Sequence, residues 1–332
     1  MPRDPLADDV FGGDADEIVE RRRLRRKVTF WRTLGVLAVV GALAVVAAVF
    51  ASDALPSGAH VARVNIGGII RNDRQRVEML EAIARSPARA VILAIDSPGG
   101  TVTGSEQLYD ALRRLAERKP VVAVVEGVAA SGAYIAALGA DHIVARRNGI
   151  VGSIGVIFQY PDVTELMKTV GVKMEDIKSS PLKGEPNPFT PTSPEARAAV
   201  ESVVASSYGW FRGLVGERRQ LSGAALDTVA DGRVFTGAQG LELRLVDEVG
   251  DERTARAWLE REKGVPADMA VRPWRSARLG NNFGWLSAGT RWLVASLGFP
   301  QLADVLSQAA GGALERAQLD GLLALWHPST GR

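Results

Sequence analysis

AVILAIDSPGG, residues 90–100, combines six consecutive apolar residues with an abrupt stop at a Pro-Gly-Gly sequence. Six apolar residues are enough for a short strand that is buried on both faces. Proline fixes its own φ and the two glycines can adopt positive φ, so this loop can turn its backbone amides toward one point. PVVAVVEGVAASGAY, residues 120–134, repeats the pattern, because an apolar β-branched run ends in small residues around Ser131. Two buried strands are therefore predicted, each followed by an unusual loop.

Strand-like and helix-like segments alternate around these two runs. His60–Ile66 is apolar and β-branched, whereas Asp73–Ser86 and Ser105–Lys119 repeat apolar residues at helical spacing. This order predicts an α/β domain with a largely parallel core sheet, and sheets of this type place their sites at the carboxyl ends of the strands. Further along, Ser193–Gln220 predicts a long helix that packs on the core.

Ser131 lies where the second strand is expected to give way to a helix, and its immediate neighbours are small. A substrate backbone can approach such a serine closely, and unpaired backbone amides nearby can stabilise an oxyanion. Serine is also a common helix N-cap, so the residue alone is compatible with either role. The two strand ends together supply a donor loop and a hydroxyl, and this pairing favours an acyl-transfer site.

The composition restricts the base that could activate this serine. The 332 residues contain no cysteine and only three, widely scattered histidines. A thiol nucleophile and cysteine-ligated metals are therefore excluded, and we expect neither a metal ion nor an organic cofactor. A lysine kept neutral by burial or by nearby positive potential is the remaining candidate. Lys178 ends the extended run Val172–Ile177, and Lys183 follows in a proline-rich loop; for either alone, a solvated side chain is the ordinary expectation.

The N-terminal region predicts a membrane anchor. Residues 34–51 carry no charge, and their number is close to the roughly 20 that cross a bilayer as a helix. Seven basic residues lie between Arg21 and Arg32 and the next one is Arg63, which predicts a cytoplasmic N-terminus. A cleaved signal peptide is the alternative, although the 29 residues before Phe30 are long for its basic region.

The overall charge does not indicate a nucleic-acid partner. Without the seven basic residues before the anchor, the 40 basic residues of the chain fall to 33, against 38 acidic ones, so no nucleic-acid partner is expected.

Four segments resemble the signal peptide peptidase A family of serine proteases. In chain order, between about His60 and Val265, they are DSPGGTVTGSEQLYDAL, VVAVVEGVAASGAYIAALGADHIVA, GIVGSIGVIFQYPDVTELMKTVGVKMEDIKSSPLKGEPNPF and DGRVFTGAQGLELRLVDEVG. The resemblance implies an α/β fold of the Clp-protease and crotonase type, preceded here by one transmembrane helix. It also implies a Ser-Lys dyad that hydrolyses peptide bonds.

The resemblance implies a role for each matching residue. Ser131 corresponds to the nucleophile, Lys183 to the general base and Ser153 to the hydroxyl that positions the lysine amine. The implied oxyanion donors are the backbone amides of Gly99, Gly100 and Gly132. Lys178 stays the alternative base, because the Ser-Pro-Leu sequence before Lys183 replaces the glycine and aromatic residue that relatives often have there.

The predicted organisation has four parts: a cytoplasmic segment, 1–29, a transmembrane anchor, 30–52, a Ser-Lys protease domain, 57–265, and a C-terminal extension, 266–332. Double-length relatives carry the lysine and the serine in different halves, so this half-length chain is expected to form a homo-oligomer with sites shared between subunits. The family implies apolar peptides, such as cleaved signal peptides, as substrates. It also implies a single-pass protein of the bacterial inner membrane with a periplasmic protease domain.

Three other functions stay open. An acyl-CoA enzyme of the crotonase superfamily would share the fold, but the anchor and the Ser131 and Lys183 pair argue against it. A non-catalytic membrane scaffold would use the oligomer alone. A membrane-protein quality-control protease, akin to the stomatin-operon proteases, would share the chemistry and prefer intact membrane-protein segments.

Overall fold

The computed structural model describes residues 58–274 and 322–325, together with 26–27, 29–37 and 40–41 near the N-terminus. The chain divides into two compact units, Met1–Leu55 and Pro56–Arg332. In the first unit the described residues are helical. Across all the described ranges, no helix is both long and apolar enough to span a membrane. Most of the predicted anchor, residues 30–52, lies outside them.

Strands and helices alternate in the second unit, as the sequence predicts. The strands are β1 His60–Ile70, β2 Ala88–Thr101, β3 Val121–Ala130, β4 His142–Ala145, β5 Ile150–Gly152, β6 Ile157–Phe158, β7 Val234–Thr236, β8 Glu248–Val249, β9 Val271–Trp274 and β10 Leu322–Leu325. The helices are α1 Arg74–Arg85, α2 Val102–Ala116, α3 Gly132–Leu138, α4 Thr164–Thr169, α5 Pro194–Arg219, α6 Gly223–Val229, α7 Gly237–Glu242 and α8 Glu252–Lys263.

The central sheet is mainly parallel. β2 lies between β1 and β3, β4 and β8 continue the sheet beyond β3, and β9 continues it beyond β1. All of these pairs are parallel, which confirms the predicted α/β class. Antiparallel pairs occur between β5 and β7 and where β10 meets β2 and β6, so the sheet as a whole is mixed.

Because β2 is buried on both faces, its central sequence is a continuous run of apolar residues. Val91, Leu93 and Ile95 pack into one hydrophobic cluster, while the alternate residues, Ala90 and Ile92, pack into a second one on the opposite face. Successive side chains of a strand point to opposite faces, so a sheet covered on both sides needs apolar residues at every position. The helices supply the cover: α2 lies over the first face and α8 over the second.

The strands separate where the site lies. β3 follows β2 as far as the pair Ser97 and Ala129, with an irregularity after Ile95. On its other edge, β3 pairs first with β4 and then, from Val128, with β5, so that Ala130 lies opposite Gly152. β2 itself continues through Gly99 and Gly100 to Thr101, further than the sequence predicts. β10 pairs with β2 along the edge that β3 no longer covers.

Candidate active site

Ser131 is the residue between β3 and α3, as predicted, but it is not a helix cap. Its backbone has φ 54° and ψ −119°, and its side chain makes no capping hydrogen bond. A serine N-cap has β-region dihedrals and accepts a bond from the helix through its hydroxyl. Instead, the Ser131 amide donates to the Gly152 carbonyl at 2.8 Å, and the hydroxyl lies 3.5 Å from the Gly155 carbonyl, at the limit of a hydrogen bond. The Ser131 hydroxyl therefore contributes little to the local structure.

Ser153 stands beside Ser131 because of the strand register. Ala130 of β3 is paired with Gly152 of β5, so the two serines are the next residues on neighbouring strands. Ser153 also has a positive φ, 52°, and its amide donates to the Arg233 carbonyl at 2.7 Å. Non-glycine residues in such conformations are strained, and strain of this kind concentrates at functional sites. The structure therefore brings together these two predicted site residues.

A cavity of about 490 Å³ opens next to both serines. Most of its wall is apolar and is formed by the chain after Ser153 and by one face of α5. Its lining residues are Ser131, Ser153, Ile154, Gly155, Val156, Ile157, Glu201, Val204, Ala205, Tyr208, Ala230, Asp231 and Gly232. A concave apolar site with a few polar groups is the usual form of a ligand pocket.

The three predicted oxyanion residues differ in their present bonding. The Gly99 amide, at φ 105°, donates to the Ser97 hydroxyl at 3.1 Å. Gly100 is packed so tightly against β1 that a Cβ there would lie 1.8 Å from the Ile70 carbonyl oxygen. Gly132 begins α3, directly after Ser131. Gly132 is thus the neighbour of Ser131 in the chain, whereas the Gly99 amide is already bonded to the Ser97 hydroxyl.

Comparison with known proteins agrees with this geometry. Residues 113–266, which include both serines, match the model of peptidase family S49, and residues 68–149 match that of Clp protease. A Synechocystis protein described as a protease is 36% identical over 210 residues, which cover 63% of this chain and 76% of the relative. The chain belongs to peptidase family S49. It is a serine peptidase with a Clp-protease-like α/β fold.

Two further proteins are similar to this S49 peptidase over part of its length. An Enterococcus faecium protein described as signal peptide peptidase SppA is 30% identical over 65% of this chain and 63% of its own length. Among solved structures, ClpP1 from Listeria monocytogenes aligns with a TM-score of 0.39 and 14% identity, over 58% of this chain and 92% of its own.

Neither candidate lysine of the S49 peptidase lies at Ser131 within the described chain. Lys183 is exposed in a turn, and Lys178 lies 2.5 Å from Glu185 and 3.2 Å from Asp176. Neither is among the residues that line the cavity. The bonds to Glu185 and Asp176 raise the pKa of Lys178, whereas a general base needs a lowered one. The expected extended run Val172–Ile177 is not a strand in the structure; it is an exposed, unpaired segment.

Sequence reasoning did not identify the α5 wall of the cavity. The predicted long helix is present, but its residues 201, 204, 205 and 208 face the site as well as the core. Their spacing of three and four residues marks one helical face, which was the available signal. Glu201 makes no ion pair within the described residues, whereas Asp231 is paired with Arg233. The pairing of β10 beside the site was not predicted either.

Proposed function

We propose that this S49 peptidase is a membrane-anchored endopeptidase that uses Ser131 as nucleophile and Lys183 as general base. The observation that carries the proposal is the strained, non-capping Ser131 with its hydroxyl at the cavity. Holding a non-glycine residue at positive φ costs about 1–3 kcal/mol of conformational free energy. A serine with only a structural role would have nothing to offset that cost.

The mechanism follows the acyl-enzyme scheme of serine hydrolases. The neutral Lys183 amine removes the Ser131 proton as the hydroxyl oxygen attacks a peptide carbonyl, and the ammonium then protonates the leaving amine. Water hydrolyses the ester by the same route, which regenerates the serine. The Ser153 hydroxyl holds the lysine amine, and backbone amides of Gly100 and Gly132 stabilise the oxyanion. Gly99 joins them if its amide leaves the Ser97 hydroxyl.

A neighbouring subunit is proposed to supply the lysine. The segment from 157 to 189, which contains Lys183, carries most of the exposed large apolar side chains of residues 58–274. They are Ile157, Leu166, Val170, Val172, Met174, Ile177, Leu182 and Phe189, and outside this segment only Ile69, Val203 and Leu241 are comparable within that range. Such a concentration marks a surface that another protein covers. A second copy seated there would bury the segment, and burial is what a neutral lysine needs.

Lys183 is preferred to Lys178 because of their present partners. Lys178 is held as an ammonium by Glu185 and Asp176. Lys183 has no ion pair within the described residues, so it can move into a neighbour's site without first losing an electrostatic partner. It lies in the turn 181–184 beside Gly184, which has φ 78°.

The proposed substrates are apolar peptides at the membrane, including cleaved signal peptides. Support comes from the mostly apolar cavity and from the uncharged residues 34–51, which are long enough to hold the enzyme in the bilayer. The basic residues before them favour a cytoplasmic N-terminus and a periplasmic protease domain in the bacterial inner membrane.

The test uses the full chain in detergent or lipid vesicles, an apolar fluorogenic peptide and a synthetic signal peptide. Ser131→Ala and Lys183→Ala are expected to be inactive, and Lys178→Ala is the matched lysine control that keeps activity. Mixed Ser131→Ala and Lys183→Ala subunits should regain part of the activity, because some interfaces then carry both intact residues. An active Lys183→Ala with an inactive Lys178→Ala would reassign the base. Wild-type protein that cleaves neither substrate would favour the scaffold function, and cleavage of intact membrane-protein segments alone would favour quality control.

A further inference from the structure

The last described segment of the chain lies between two strands that border the candidate active site. β10 is antiparallel to the end of β2, where Leu323, Ala324 and Leu325 lie opposite Thr101, Gly100 and Gly99. On its other side β10 is antiparallel to β6, with Leu322 opposite Phe158 and Leu323 opposite Ile157. A four-residue strand thus joins two edges that do not otherwise pair with each other.

The groove filled by β10 exists because of how the sheet is built. β3 leaves β2 after Ser97, so the edge of Gly99–Thr101 has no neighbour from the parallel sheet. Neighbouring strands lie about 4.8 Å apart, so two edges that both pair with β10 are about 10 Å apart. This width admits one extended peptide that bonds through its backbone to both sides, which is recognition by strand addition.

The groove runs past the nucleophile. Ile157, on the β6 side, lines the same cavity as Ser131. On the β2 side, Gly99 and Gly100 belong to the end of the strand whose backbone the proposed mechanism uses for the oxyanion. A peptide in this groove therefore presents its carbonyl groups where a substrate would. In the observed register Ala324 and Leu325 are the residues level with the two glycines.

The composition of β10 matches the proposed substrates. Its sequence is Leu-Leu-Ala-Leu, with no charged or polar residue, and it belongs to the C-terminal extension, 266–332, for which the sequence suggests no role. We propose that Leu322–Leu325 is an internal pseudosubstrate that occupies the peptide groove and competes with substrates. The proposal rests on the proposed function, because it takes the groove beside Ser131 as the place where peptides bind.

Competition by a tethered segment has a specific kinetic signature. A segment that fills the groove in the free enzyme and leaves when substrate binds raises the apparent KM and leaves kcat unchanged. The tether keeps the segment at a high effective concentration, so even a weakly binding tetrapeptide can compete. Removing it should therefore lower KM.

The experiment compares the full chain with Ala324→Pro, with a chain that ends at Gly321, and with Ser329→Pro as control. Proline removes the backbone N–H and is excluded from strands that pair on both sides, so Ala324→Pro should release β10. Initial rates on an apolar fluorogenic peptide are expected to show KM at least five-fold lower for the first two variants, with kcat unchanged. Ser329→Pro carries the same substitution beyond β10 and should keep the wild-type KM. A wild-type KM in both tail variants would overturn the proposal.

A binding measurement separates this inference from the proposed function. The labelled peptide Leu-Leu-Ala-Leu-Trp-His, residues 322–327, is titrated into chains that carry Ser131→Ala, with and without Ala324→Pro, and its fluorescence anisotropy is recorded. Binding at least five-fold tighter to the double variant supports the pseudosubstrate, even if no protein in the series hydrolyses peptides. Equal affinity for both chains, or no binding to either, refutes the pseudosubstrate even if wild type is an active protease. Circular dichroism identifies any variant that has not folded, and the binding of peptide to the other variants then decides.

Discussion

The backbone of Ser131 leads to a stability prediction that separates strain from ordinary packing. Its dihedrals, φ 54° and ψ −119°, lie in a region that is sterically unfavourable for residues with a Cβ and accessible to glycine. Ser131→Gly should therefore abolish activity and stabilise the protein. Ser131→Ala should abolish activity equally but keep the strain, since alanine still has a Cβ.

The difference in stability between the two variants follows from two contributions. Relief of the strain gains about 1–3 kcal/mol. The larger backbone entropy of glycine in the unfolded chain offsets about 0.4–1 kcal/mol of that gain. Loss of the hydroxyl, whose bond to the Gly155 carbonyl is 3.5 Å long, is common to both variants and cancels in the comparison. Subtracting the second range from the first gives about 0–2.6 kcal/mol for Ser131→Gly over Ser131→Ala, with a central value of about 1.3 kcal/mol.

Thermal unfolding of the two variants measures the difference. For domains of 150–250 residues, 1 kcal/mol corresponds to about 2–4 °C, so Ser131→Gly should melt about 3–5 °C above Ser131→Ala. Gln220→Gly is the control, because Gln220 has φ 52° at the end of α5 and lies outside the cavity. It should gain stability and keep activity. Equal melting temperatures for the two Ser131 variants, alongside a gain for Gln220→Gly, would refute the claim that strain is stored at Ser131.

Three other substitutions test the pocket, the core and the pH response. Glu201→Gln should lower kcat/KM about two- to five-fold for peptides that place a lysine in the cavity, because it removes an exposed wall carboxylate that has no ion pair within the described residues. Norleucine peptides should be unaffected, and equal effects on both peptides would exclude charge selection. Tyr134→Phe removes the buried hydrogen bond that the Tyr134 hydroxyl donates to the Leu245 carbonyl at 2.7 Å, so it should destabilise the protein by about 1–3 kcal/mol. An unchanged midpoint of urea unfolding would contradict this. Burial lowers the pKa of His142, so its stabilising effect is complete above about pH 6.5 and declines as the pH falls through that value toward the folded pKa. His142→Asn should therefore lose less stability than wild type between pH 7 and pH 5, and parallel curves would show that other groups control this range.

The central strands could be predicted from the sequence because their signals are local. Burial on both faces requires apolar residues at consecutive positions, and the sequence shows such runs at 90–95 in β2 and 121–125 in β3. The helices α1 and α2 likewise show their buried residues at helical spacing. The Clp-protease-like fold and the serine peptidase class were correct predictions from motifs that lie on these elements.

The features that the sequence did not reveal depend on pairing between distant short segments. β5, β6 and β10 have two to four residues each, too few to show a period, and β10 meets β2 across more than 200 residues of chain. Lys183 was predicted at the active site from its motif, yet within one chain it lies on an exposed turn. A motif gives the order of residues along the chain, whereas a site between subunits depends on a surface that one sequence read alone does not orient.

The choice between a cap and a nucleophile at Ser131 shows what three-dimensional structure adds. Both interpretations place a serine before a helix of small residues, so composition and spacing favour them alike. They require different backbone conformations, because a cap has extended dihedrals and its hydroxyl accepts a hydrogen bond from a helix amide. Ser131 has positive φ, gives the helix no side-chain bond and lies beside Ser153, a second strained serine on the next strand. Neither hydroxyl caps a helix and both serines line one cavity, so this geometry supports the proposed reaction, in which both hydroxyl groups are held in place.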